Sequence, residues 1–408
     1  MTNLIIKTRN KNTFAEEAIQ LLGASFVFYA GTYSIKAIFN GVQLDNLGTV
    51  GSMLFYIFWI YKLLLIMFRY LFCIRRIVLW EAIYFLILLV NWKLFPYTHE
   101  YYEEYYMFLR QIVVVFLPCG AILSQVKEYN HAFFYLKKYA LFGSILMWIA
   151  FPLGYINYWE AQYWGVQLSP FTMIIFQNYL ENHKIQDGII FIINLVLVLA
   201  GGRQSFFIVV ISCLMMYIYS NRYKSKKVLI LIFLSISVGS FFVSGVFSII
   251  IKGMNELLKN SGMEFRTIAE LANGNFFDTS TRDLIYEKSV QIIEMNGPKI
   301  SGLFSDRFYI RQYKQWIAYP HNLILEVLID FGTVLGSLIL GLIIFRVVFT
   351  ILKGSSEKKL LCIMISSLVL CRLMVSSSFM IEGFFYIFIG VIFSKVVNLK
   401  KVRYKIKI

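Results

Sequence analysis

Runs of roughly twenty apolar residues recur along the whole of this chain, and each is long enough for an α-helix to cross the hydrocarbon of a bilayer. Inside lipid every backbone N–H and C=O must find its partner within the protein, and a helix satisfies them within the segment itself. The pattern predicts an all-α, polytopic integral membrane protein. Of the 408 residues, 59% are hydrophobic and 15% are charged, against about a quarter charged in a soluble protein. A single globular core is therefore the wrong picture, because lipid replaces most of it.

The runs number about twelve, at residues 18–34, 47–68, 77–92, 105–124, 139–155, 168–180, 188–200, 205–219, 228–251, 320–345, 360–376 and 379–396. Pro152 kinks or ends the fifth, and the sixth and seventh are short. Basic residues follow alternate spans: Arg69, Arg75 and Arg76; Lys127, Lys137 and Lys138; Arg222, Lys224, Lys226 and Lys227; Lys353, Lys358 and Lys359; then Lys400, Lys401 and Arg403. The positive-inside rule makes that side cytoplasmic and puts both termini there. The opposite loops, 99–104 and 158–164, are acidic or aromatic. The net charge of +16 thus sets orientation. It does not indicate nucleic-acid binding, since no basic domain stands apart from the apolar runs.

Three regions follow: residues 1–251 with nine transmembrane helices, a large extracytoplasmic loop over 252–319, and 320–408 with three more helices and a basic cytoplasmic tail. There is no internal repeat and no low-complexity segment. The five cysteines, Cys73, Cys119, Cys213, Cys362 and Cys371, lie in or beside apolar segments without metal-ligand spacing, so neither disulfides nor zinc is expected. Lys7 to Lys11 is basic, but the run after it shows no clear signal-peptide cleavage site. The loop mixes charges of both signs and is too long for a simple connector. Within it, Leu284, Ile285, Ile292 and Met295 recur at roughly helical spacing, which predicts a helix lying on the membrane surface or against the bundle.

Chemistry concentrates where that loop re-enters the membrane. Tyr319-Pro320-His321-Asn322 precedes a span carrying Glu326, Asp330, Gly332 and Gly336. Polar and ionisable groups are costly at such a place unless they face the protein interior or a cavity. His321 can titrate near neutral pH, as a general base must. Two arginines share the outer side: Arg203, after Gly201-Gly202, and Arg282, in Thr281-Arg282-Asp283. The guanidinium fork binds phosphate oxygens in pairs and stays charged in any surroundings. An arginine at a helix end is more often a snorkelling residue, a reading Arg203 resists because basic residues are depleted on that side. An outer histidine is as often a plain interfacial residue, and a GxxxG such as Gly332–Gly336 ordinarily means close helix packing. Arg372 lies within a span and is expected to pair with Glu382 or to line a polar cavity. Most Tyr and Phe form the interfacial belt, although Trp159, Tyr163 and Trp164 are candidates for stacking on a sugar. No outer carboxylate cluster has the spacing of a metal site.

In order and spacing these motifs resemble the O-antigen polymerase and ligase superfamily of bacterial surface polysaccharide assembly. Gly202-Arg203-Gln204-Ser205 is similar to the family's small-residue–Arg turn ahead of the loop. Thr281-Arg282-Asp283-Leu284, with Asn296-Gly297-Pro298 and Gly302 downstream, is similar to its Arg-headed loop helix. His321-Asn322, nine residues and Gly332 fit its His-Asn element, with Asp330 at the family's acidic position. One departure stands out: the family's second glycine falls three residues after the first, whereas Gly336 falls four after Gly332. The motifs cover residues 195–336, and the rest of the chain matches by hydropathy alone.

The resemblance implies a metal-independent, cofactor-free, inverting glycosyltransferase in the bacterial cytoplasmic (inner) membrane. It would use undecaprenyl-diphosphate-linked oligosaccharide as donor and acceptor. His321 would act on the acceptor hydroxyl, Arg203 and Arg282 would hold the diphosphate, and Asn322, Asp330 and Arg372 would support them. A chain-length regulator and a flippase are the implied protein partners, beside membrane lipids. The polymer would be O-antigen, capsule or exopolysaccharide, as in lipopolysaccharide-bearing and other envelopes. Two alternatives stay open: a ligase that transfers finished glycan, and a transporter or flippase of the same lipid-linked unit, for which one would look for repeated halves and midplane polar residues.

Overall fold

A computed structural model describes residues 2–41, 45–153, 161–220, 245–260, 266–273, 282–313, 319–374 and 377–395. Among them the regular structure is helical. The helices are α1 (Thr2–Gly41), α2 (Asp45–Arg69), α3 (Phe72–Leu94), α4 (His99–Glu104), α5 (Tyr106–Gln111), α6 (Leu117–Leu123), α7 (Ala132–Leu153), α8 (Ala161–Asn182), α9 (Ile185–Gly201) and α10 (Arg203–Tyr219). They continue with α11 (Gly245–Asn260), α12 (Arg266–Ala272), α13 (Arg282–Asn296), α14 (Ser305–Arg311), α15 (Leu323–Lys353), α16 (Ser356–Leu373) and α17 (Gly383–Phe393). Five described stretches are long and apolar enough to cross a membrane: Thr13–Phe39, Asn46–Arg69, Tyr106–Leu123, Ala132–Phe151 and Leu323–Lys353. Three shorter apolar helices, α9, α10 and α17, accompany them. Residues 228–244 of the expected ninth span, the basic tail, Thr281 and Trp159 lie outside the described residues.

The chain forms two compact units. The first comprises Met1–Leu21, Leu63–Asn130 and Thr279–Ile408. In it α6 packs on α3 and α17, and α15 packs on α13 and α16. Small residues permit the α6–α17 contact: a Cβ added at Gly390 would lie 2.2 Å from Gly120 O, and one at Gly120 would lie 2.4 Å from Tyr386 O. Close backbone approach of this kind is the usual means of joining helices where burial supplies no driving force. A π turn over Ile112–Phe116 separates α5 from α6.

The second unit comprises Leu22–Lys62 and His131–Asp278. Its centre is α8, which packs on α7, α9 and α10. Several buried polar groups there meet one another, which offsets the cost of taking them out of water. Asn194 Nδ2 donates to Ser144 Oγ at 2.9 Å, its Oδ1 accepts from Trp148 at 2.8 Å, and Lys137 meets Asp187 at 2.7 Å. Only Gly202 separates α9 from α10. Its φ of 164° is extended backbone open to any residue.

Two expectations need correction. The span from Pro320 to Phe345 is instead the longer α15, and it is broken: Gly332 has φ 72° and ψ 167°. Gly332 is therefore an elbow and no part of a helix-packing GxxxG. In the stretch expected to form the large loop, α13 appears where predicted, but it buries Ile285, Ser289 and Ile292. Leu284 and Met295 are 38% and 70% exposed, because the 3.6-residue period carries 285, 289 and 292 onto one stripe and leaves 284 and 295 off it.

Candidate functional site

The break in α15 is made by hydrogen bonds that leave the helix. Asp330 O accepts from Ser301 N (3.0 Å) and Gly302 N (2.9 Å), and Thr333 N donates to Gly297 O (2.9 Å). A loop thus docks on backbone groups that the break has freed, which is how discontinuous helices satisfy the requirement for internal pairing. The positive φ of Gly332 and the closeness of the loop both call for glycine: an added Cβ would lie 2.6 Å from Pro298 O and 2.7 Å from Lys299 O. Asn91 of α3 fastens the same loop, accepting from Leu303 N at 2.6 Å and donating to Tyr102 Oη at 2.7 Å.

That docking buries an ionic cluster. Asp306, Arg307, Glu326 and Asp330 are each 0% exposed. Arg307 Nη1 donates to both oxygens of Asp306, at 2.8 and 2.9 Å, and reaches Glu326 Oε1 at 3.4 Å. Its Nη2 donates to Ser378 Oγ at 2.7 Å, and the Ser378 hydroxyl in turn donates to Glu326. The second oxygen of Glu326 accepts from Phe379 N at 3.3 Å. Asp330 Oδ1 accepts from Ser305 Oγ (2.8 Å) and Asp306 N (3.1 Å). Among the described residues its Oδ2 has no hydrogen-bond partner. Three rings enclose the guanidinium, Phe304 at 4.8 Å, Tyr105 at 5.0 Å and Tyr319 at 5.2 Å from its carbon to their centroids.

The electrostatics follow from counting: three carboxyl groups share one cation. Burial raises the pKa of Asp306 above its ordinary value, and Arg307 only partly opposes it. For Arg307, burial acts to lower the pKa, but the carboxylates of Asp306 and Glu326 outweigh it and raise the value. Burial also raises the Tyr319 hydroxyl. Among the described residues no group of three or more His, Cys, Asp or Glu has the arrangement of a metal site. Here the guanidinium fills the space between the carboxyls.

His321 stands at the edge of this cluster. Its backbone is left-handed, with φ 54°, a conformation that costs a non-glycine residue of order 1–3 kcal/mol and collects at functional sites. Its ring centroid lies 4.3 Å from that of Tyr319. Asn322 caps α15, its Oδ1 accepting from Ile324 N (3.0 Å) and Leu325 N (3.3 Å). Asp330 holds the docked loop, as above. Arg372 Nη1 lies 2.8 Å from Glu382 Oε2, the carboxylate its sequence position pointed to. Arg282 opens α13, which runs against α15. His321, Asn322, Asp330, Arg282 and Arg372 all belong to the first unit, whereas Arg203 belongs to the second. There Arg203 Nη2 lies 3.5 Å from Glu270 Oε2. Trp164 is 3% exposed and packs edge-on against Tyr33 and Phe151. It is thus a packing residue with no open face for a sugar.

The sequence reading did not single out Arg307, Asp306, Ser378 or Asn91. A signal was there: Asp306-Arg307 is an adjacent pair of opposite charges close behind the apolar Leu303-Phe304. Fold and site together define, among the described residues, an all-helical arrangement with helices long and apolar enough to cross a membrane, one of which is broken above a buried ionic cluster. Searches against protein families, curated proteins and solved structures found no match for this chain.

Proposed function

We propose that this protein polymerises undecaprenyl-diphosphate-linked oligosaccharide repeat units at the outer face of a bacterial cytoplasmic membrane. In this reading the chain has about twelve spans, cytoplasmic termini and a large outer loop over residues 252–319. The observation that carries the proposal is the placement of His321: a strained histidine at the head of a broken membrane helix, one ring away from a caged arginine. The order of the Arg203, Arg282 and His321 motifs, similar to that of the O-antigen polymerase and ligase superfamily, supports it.

The reaction is a single displacement. The acceptor hydroxyl oxygen attacks the anomeric carbon of the donor, and His321 takes its proton. The bond from that carbon to the diphosphate oxygen breaks on the opposite face, and undecaprenyl diphosphate leaves with the electron pair. Arg282 and Arg203 stabilise the departing charge, and the anomeric centre inverts. A glycan ladder tests this. Cells lacking the gene are complemented with wild type, His321→Ala, Arg203→Ala or Arg282→Ala at matched membrane levels. Collapse of long chains to single surface-attached repeats is the expected result for each variant. Long chains left on the lipid carrier would indicate a ligase. Normal ladders from all three variants would sink the assignment.

One observation favours a second reading. Glu326 and Asp330 are buried carboxyls on a discontinuous helix, a combination that transporters use at their binding sites. A flippase of the same lipid-linked unit is therefore the rival.

A further inference from the structure

We propose that Arg307 is a positioning residue for His321 and acts through the ring of Tyr319. Arg307 is 0% exposed, so it meets no substrate in this arrangement. Its partners arrive from four separate stretches of chain: Tyr105 before α5, Asp306 beside it, Glu326 in α15, and Ser378 between α16 and α17. A planar fork with several donors suits such a hub, and the point charge of lysine does not. The guanidinium carbon sits 5.2 Å from the centre of the Tyr319 ring, and the other end of the chain of contacts is His321, 4.3 Å from that ring. Tyr319 and His321 are joined through Pro320, whose ring fixes φ, and His321 itself holds a left-handed φ. The imidazole thus depends for its direction on a ring that the buried cation anchors by a cation–π contact.

The inference rests on reading His321 as the working residue of the site, but its test makes no use of glycosyl transfer. The purified full-length chain in detergent is treated with diethyl pyrocarbonate, and modification of each histidine is followed by peptide mass spectrometry. The readout is the rate at His321 relative to His99, with His131 and His183 as reporters of the second unit. Arg307→Lys and Tyr319→Leu are each expected to change that ratio by about threefold or more, and the double variant by no more than the larger single effect, because coupled residues do not add. Tyr319→Phe keeps the ring and should match wild type. An unchanged ratio in Arg307→Lys, or effects that multiply in the double variant, would overturn the proposal. So would parallel changes at His131 and His183, since Arg307 would then be holding the fold as a whole. A chain that fails to polymerise yet shows the coupling would remove the glycosyltransferase reading and leave this one standing.

Discussion

Replacing Gly332 with alanine is the sharpest perturbation of the elbow in α15. Two costs combine. The φ of 72° with ψ 167° belongs to a region open essentially to glycine alone, worth about 1–3 kcal/mol to any other residue. The new Cβ would also stand 2.6 Å from Pro298 O and 2.7 Å from Lys299 O. Both are backbone atoms of the docked loop, so relief requires the loop to shift, at about another 1–3 kcal/mol. The shift would strain the bonds from Ser301 N and Gly302 N to Asp330 O, and with them the seat of Asp306 and Arg307. Gly341 serves as the control, because it lies in the same helix with nothing within 4 Å of an added Cβ. Alanine there should be neutral or stabilising by up to about 1 kcal/mol. Equilibrium unfolding of both variants in mixed micelles, titrated with a denaturing detergent, reads the difference. A Gly332→Ala protein as stable as Gly341→Ala would refute the claim that the break needs glycine.

Further outcomes are expected. Arg307→Met should destabilise the first unit by about 3–5 kcal/mol, since it strands buried carboxyls, and combining it with Asp306→Asn and Glu326→Gln should recover much of that loss in the same titration. Asn322→Ala should cost about 1 kcal/mol through the lost cap of α15, while Asn322→Asp, which keeps the acceptor, should not. Lys358, 1% exposed, donates to Ser394 O at 2.9 Å and Lys395 O at 3.3 Å at the end of α17; Lys358→Met should cost about 1–3 kcal/mol by leaving those carbonyls unpaired. The hydrogen bond from Arg311 is the chief cause that holds the Glu104 carboxyl below the usual carboxylate range. A depressed carboxyl gives stability that is present above its ordinary pKa and lost as pH falls through the lowered one. Glu104→Gln should flatten that acid limb, by no more than about 1 kcal/mol because both side chains meet solvent.

Length and periodicity carried most of the helices. The runs at 188–200 and 205–219 lie within α9 and α10, and the Gly-Gly-Arg turn between them is where one helix stops and the next starts. The short sixth run is the 22-residue α8. What periodicity could not carry is the break in α15, because the apolar pattern continues through Gly332 and the cause lies in Gly297–Gly302, some thirty residues earlier. The ionic cluster was hidden for the same reason. Glu326 and Ser378 stand 19 and 71 residues from Arg307, and no local spacing announces partners brought together by folding. His321 and Asp330 were visible because polar residues inside an apolar run are conspicuous. Their division of labour was not: one sits at the rim of the cluster, and the other holds the docked loop beneath it.

The central claim is glycosyl transfer, and reconstitution tests it most directly. Purified protein in liposomes is given undecaprenyl-diphosphate-linked repeat units in the presence of a metal chelator, and glycan length and free undecaprenyl diphosphate are measured together. Polymer is expected, with about one undecaprenyl diphosphate released per new linkage, unaffected by the chelator and abolished by His321→Ala, in keeping with a general base acting on the acceptor. Movement of the lipid-linked unit between leaflets with no diphosphate released and no change in glycan length would contradict it.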